Sequence, residues 1–131
     1  MVQHRLTKIE AAIEQIDWAI RLFLDYQAYI PAITLAGAAN LMLHEMLGSG
    51  STLPIAVDVL ASKNGSVKRA WEMLHKAVNW LKHWQAGREE TLTLEWELEA
   101  FQNIINGMGN IIKYDPSAST ISVEMLTFQR I

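Results

Sequence analysis

The sequence predicts an all-α fold, an up-down helical bundle of four long helices with one or two additional short helices. Three observations carry this. Apolar residues recur at three- and four-residue steps through the first, third and fourth long segments. The second long segment, PAITLAGAANLMLHEML, is apolar almost all round, as the central helix of a bundle is. Strand-like alternation is confined to TLTLE, and one short strand has nothing to pair with. With 131 residues, half of them hydrophobic, the chain has material for a single domain (1–131) with one core.

The first helix is expected over roughly residues 3–26, where Leu6, Ile9, Ile13, Ile16, Ile20 and Phe23 share a stripe. Trp18 and Leu22 fall on the opposite side, among Glu14, Arg21 and Asp25. Two readings stand for such an outward tryptophan: a singly exposed aromatic, or a partner surface. Aromatic residues are enriched at interface hot spots. Trp18 and Leu22, and then Trp80 and Trp84, are therefore the candidate contacts of a homodimer.

In the second helix Pro31 suits the first turn and Gly48 the stop. Gly37, flanked by Ala36, Ala38 and Ala39, lets a neighbouring helix approach closely. Asn40 and His44 lie four residues apart on one face, with Gly37 one turn below. GSGSTLP reads as a linker, Ile55–Ala61 as a short helix, and Ser66 as the N-cap of the third long helix, which Gly87 ends. TLTLE is an extended lead into a fourth helix over about Glu95–Tyr114. There Leu98, Phe101, Ile105, Met108 and Ile112 form the expected buried stripe, with Asn103, Asn106 and Asn110 opposite. Asp115-Pro116 breaks that helix, and residues 120–130 suit a last short one.

The third helix divides cleanly at about 100° per residue. Ala70, Trp71, Met73, Leu74, Ala77, Val78, Trp80, Leu81 and Trp84 fall in one half. Lys68, Arg69, Glu72, His75, Lys76, Asn79, Lys82 and His83 fall in the other. Asn79 and His83 thus stack one above the other on the polar face. A cluster of Asn40, His44, Asn79 and His83 would need the second and third helices to meet with those faces together, and the division argues against it.

The polar face is also basic. Residues 63–88 hold six Lys or Arg and one acid, whereas residues 89–99 hold five Glu and no base. One reading is a solvated helix face paired with the following segment. The other is an anion-facing surface for phosphate, nucleotide or RNA. On that reading Arg69 and Lys82, with His44 and Asn40, are the candidate ligand-binding residues. A net charge of −3 argues against generic nucleic-acid binding.

The chain has no cysteine, which removes disulfides, thiolate catalysis and cysteine-based zinc sites. It has no HExxH and no clustered carboxylates, so no metal and no cofactor is expected. GSGST resembles a phosphate loop in composition only. The segment MVQHRLTKIEAAIEQ has no signal-peptide core, and the uncharged apolar run Ala32–Leu43 is too short to span a bilayer. A cytoplasmic protein with no membrane partner is expected.

The pairing of ITLAGAANLMLHEML with a later AVNWLKH resembles the HEPN superfamily, over roughly residues 5–130. The resemblance implies a compact helical bundle, often dimeric, of the kind found in toxin–antitoxin systems and other RNA-processing contexts. Active members cut RNA without a metal, using an arginine followed after four to six residues by a histidine. Carried over, His83 takes the histidine place and Lys76 is the one basic residue near the arginine place, with Asn79 between them. Attack by a 2′-hydroxyl on a phosphodiester needs a proton acceptor and a cation on the developing charge. An ammonium is a point charge and does not grip phosphate bidentately as a guanidinium does. The catalytic pair is incomplete. The expectation is a non-catalytic HEPN-like domain that dimerises and binds RNA, a nucleotide or a cognate protein; the alternative is a metal-independent endoribonuclease using His83.

Overall fold

The structure, a computed structural model, describes residues 2–48, 66–83, 90–117 and 122–130. Among these it is all-helical, with no strand: α1 (Lys8–Tyr26), α2 (Tyr29–Leu47), α3 (Val67–Lys82), α4 (Trp96–Tyr114) and the short α5 (Val123–Gln129). The linker GSGSTLP, the short helix at Ile55–Ala61, the stop at Gly87 and the contact residue Trp84 lie outside the described residues.

α1 begins later than its apolar periodicity alone predicts, because Thr7 and Glu10 form a reciprocal capping box that fixes the first turn at Lys8. Leu6 therefore precedes the helix and is exposed, while Ala12, Ile16, Ala19 and Ile20 are buried. Leu22 is half-buried and packs against the core rather than facing out. Trp18 does face out, 46% exposed, with the Arg21 guanidinium 4.8 Å above its ring.

α2 is the centre of the bundle. It packs on α1, α3 and α4 and buries Ala32, Ile33, Ala36, Gly37, Ala39 and Leu43. At 19 residues it is longer than the Ala32–Leu43 run, and by length and composition it is apolar enough to cross a membrane. Small residues set how closely its neighbours come. A methyl at Gly37 would stand 2.8 and 2.9 Å from the two methyls of Val78 on α3. On α4, a methyl at Gly107 would stand 2.2 Å from Ile16 Cδ1 of α1.

α4 is rotated from the expected stripe. Leu98 (46%), Phe101 and Ile105 (42%) are exposed, while Ala100, Asn103, Ile104, Gly107, Met108, Asn110 and Ile111 are buried. Two apolar stripes compete on this helix, and the inward one is the one with the small residues. Close approach to α1 and α2 needs Ala100 and Gly107 at the contact, which bulk hydrophobicity alone does not favour. The cost of burying Asn103 is offset because its Nδ2 donates to the Glu99 carbonyl at 2.9 Å.

α5 closes the end of the bundle against α1. Ser122 caps it, accepting from the Met125 N–H at 3.1 Å and donating to Asp17 Oδ1 at 2.6 Å. Arg21 pairs with Glu124. Phe128 is buried between Phe23, edge-on at 5.5 Å, and Phe101, tilted at 5.5 Å. Such full burial of an aromatic contributes about 1.5–3 kcal/mol.

Candidate functional site: a carboxamide-lined cleft

A cleft of about 340 Å³ opens between α2, α3 and α4. Its α2 wall holds Gly37, Asn40, Leu41, His44 and Glu45. The α3 wall holds His75, Val78, Asn79 and Lys82, which recur at three- and four-residue steps. From α4 come Gln102, Asn103, Asn106 and Asn110. A volume of this size falls within the range of small-molecule sites, at its lower end.

The amides form two layers. In the inner layer Asn40 Nδ2 donates to the Asn103 backbone carbonyl at 2.8 Å, and Asn103 is itself tied to Glu99. Asn40 Oδ1 lies in ordinary contact range of the Gly107 position, 3.4 Å from where a methyl there would stand. Asn110 is 2% exposed. The Asn40–Asn103 bond joins α2 to α4, and the Asn103–Glu99 bond lies within α4; both are structural. One atom is left over: Asn40 Oδ1 is buried and has no hydrogen-bond partner among the described residues. In the outer layer Asn79, Gln102 and Asn106 make no side-chain hydrogen bond among the described residues, so their donors and acceptors are available to a guest. Among the described residues Lys82 is the one Lys or Arg in the lining and makes no ion pair, and Glu45 is the one Asp or Glu.

Of the sequence-predicted site residues, the cleft brings together Asn40, His44, Asn79 and Lys82. It leaves out His83, Lys76 and Arg69. The reason for His83 is that α3 ends at Lys82. His83 is the exposed C-cap in extended backbone, and only its N–H reaches Asn79, donating to the carbonyl at 3.2 Å. The expected stacking of its side chain above Asn79 is therefore absent. Lys76 is exposed, and Arg69 is exposed in the first turn, where its N–H donates to Ser66 Oγ at 3.1 Å. The close seat of Val78 on Gly37 turns the Asn79 side of α3 toward α2, so the helical division that argued against a shared cluster fails for Asn79 and holds for His83. Trp80 is half-buried, its ring 6.0 Å from that of Trp96.

Sequence reasoning missed His75, Gln102, Asn103, Asn106 and Asn110 as members of a site. The signal is present: Asn103, Asn106 and Asn110 recur at helical steps inside Ala100–Ile112, a run with no charged residue. Polar groups that are all amides, on a helix without charge, mark a wetted interior better than a solvent face. Among the described residues no three His, Cys, Asp or Glu side chains come together as metal ligands.

The chain matches no protein-family model, no curated protein and no solved structure. The fold and the cleft are therefore the ground for the functional reading.

Proposed function

We propose that this protein is a non-catalytic, HEPN-like helical module that pairs with a second copy of itself and binds a nucleotide unit, free or within RNA, in the carboxamide cleft. The observation that carries the reading is the convergence of Asn40, His44, Asn79 and Lys82, from two helices, on one cavity with three amides free to bond. Carboxamides supply a donor and an acceptor side by side, which is the pattern of a nucleobase edge. Leu41 and Val78 give the cavity apolar flanks, and Lys82 offers a phosphate a counter-charge. The separation of His83 and Lys76 from the cleft supports binding without cleavage.

The test is incubation of the purified protein with short unstructured RNA in EDTA, with retention on a native gel and the length of the RNA both read. RNA is expected to be retained and intact, with retention weakened in Lys82→Glu and unchanged in His83→Ala. Cleavage that survives chelator and disappears in His83→Ala would replace this reading with the endoribonuclease one. Absence of binding to RNA and to mononucleotides alike would remove the nucleotide reading.

A further inference from the structure

We infer that the cleft selects an adenine nucleotide carrying a single phosphate. This rests on the nucleotide reading above and sharpens it to one base and one charge state. The base follows from what the lining contains and what it does not. Asn79, Gln102 and Asn106 present free carboxamides, and no arginine lines the cavity among the described residues. A carboxamide meets the major-groove edge of adenine bidentately, its oxygen accepting from the N6 amino group while its nitrogen donates to N7. The same edge of guanine offers two acceptors, O6 and N7, and is the partner of a guanidinium or ammonium rather than an amide.

The inner layer is held by the protein itself. Asn40 stands in the same wall with a buried Oδ1 that has no donor among the described residues. Its Nδ2 donates to the Asn103 carbonyl, and its Oδ1 lies beside Gly107. A buried acceptor without a donor costs on the order of 1–3 kcal/mol.

The single phosphate follows from charge. Lys82 faces the cavity without an ion pair, and Glu45 shares the lining. One ammonium gives one counter-charge to a single phosphate, whereas each further phosphate adds charge that no described lining residue meets and that Glu45 repels. A nucleotide held within an RNA chain carries one phosphate per base, so free adenylate and an adenine in RNA satisfy the same chemistry.

The experiment is calorimetric titration of the full chain with adenosine monophosphate, inosine monophosphate, guanosine monophosphate, adenosine triphosphate and adenosine. Inosine differs from adenosine by loss of the amino group and its replacement with a carbonyl. The inosine and guanosine monophosphates are expected to bind about tenfold or more weakly than the adenosine monophosphate, the range one bidentate base contact provides. The triphosphate is expected to bind no more tightly than the monophosphate. Lys82→Gln should lower affinity for the monophosphate to that for adenosine, and leave adenosine itself unchanged. Asn79→Leu and Asn106→Leu, at positions not fully buried, should abolish the preference for adenine over inosine while the circular dichroism stays that of wild type.

Equal affinity for adenosine and inosine monophosphates would overturn the base assignment and leave the nucleotide reading standing. A triphosphate bound much more tightly than the monophosphate would overturn the charge assignment alone. No binding of any nucleotide or of RNA would remove the underlying reading as well. Displacement of adenosine monophosphate by a six-residue adenylate oligonucleotide, at equal concentration of bases, assigns the source to RNA; failure of that displacement with tight mononucleotide binding assigns it to the free nucleotide.

Discussion

Single side chains decide how α5 is held. Asp17 and Glu124 are both carboxylates on that seam, and their surroundings push them in opposite directions. Burial holds the Asp17 carboxyl above the usual carboxylate range, although the Ser122 hydroxyl donates to it. The hydrogen bond from Arg21 holds Glu124 below its ordinary value. The signs of their contributions differ accordingly. Glu124 adds stability that is present above its unfolded value of 4.5 and is lost as pH falls through its folded value. Asp17 favours the folded state most when protonated, and that advantage is lost as pH rises from 3.8 through its raised folded value. Asp17→Asn keeps an acceptor for Ser122 and removes the charge. It is expected to raise the melting temperature at pH 7 by about 2 °C, with the gain over wild type shrinking as pH approaches 4. Glu124→Gln is expected to lower the melting temperature at pH 7 and to match wild type in acid. Thermal melts at four or five pH values check both curves, and a pH-independent gain for Asp17→Asn would refute the burial argument.

Helices meet here through what is missing from them. Gly37 permits α3 to seat Val78 directly on α2, and that seat turns Asn79 and Lys82 into the cleft. Replacing Gly37 by alanine gains about 1 kcal/mol of helix propensity. It also drives a methyl against both branches of a buried valine, an overpacking that costs roughly 1–3 kcal/mol. The clash should win, and Gly37→Ala should lower stability and nucleotide affinity together. Val78→Ala removes both clashing methyls, so the double variant should be more stable than the sum of the single changes by about 1 kcal/mol. Urea unfolding of the four proteins measures that coupling; strict additivity would mean that the contact does not set the spacing.

The same contacts explain what the sequence made legible. Helix identity came from periodicity, and the caps at Ser66 and Gly48 fell where residue chemistry places them. The face of α4 did not, because Leu98, Phe101 and Ile105 outweigh Ala100 and Gly107 in hydrophobicity, while helix spacing depends on size. Part of the cleft was visible as Asn40, His44, Asn79 and Lys82. The rest was hidden because amides read as solvent-facing until a neighbouring helix is put beside them. The end of α3 is the other loss: nothing local in KAVNWLKHWQ sets the last helical residue at Lys82 rather than Gln85, and that difference of a turn removes His83 from the polar face.

For the whole molecule, the outward side of α4 is the feature with the widest reach. Leu98, Phe101 and Ile105 are exposed on a helix that carries no charge from Ala100 to Ile112. A helix face left to water ordinarily carries charged residues, and larger apolar patches mark interaction sites. The proposed pairing of two copies is expected to use this face, with Trp18 at most a secondary contact because Arg21 already covers its ring. Sedimentation of Leu98→Glu and Ile105→Glu should give the mass of one chain where wild type gives two. Wild-type mass of two chains retained in both variants, and lost in Trp18→Ala, would move the interface to α1.

The central position of α2 also has a consequence in time. The helix that most needs cover, Tyr29–Leu47, finds much of that cover on α4, whose last residue is Tyr114. Translation adds residues at roughly 5–20 per second, so the ribosome takes on the order of ten seconds to make the partner that shields it. During that interval the nascent chain displays a helix with a single charged residue, Glu45, and the length of a bilayer span. Its fate then depends on which reaches it first: the rest of its own chain, or the cell's machinery for hydrophobic segments.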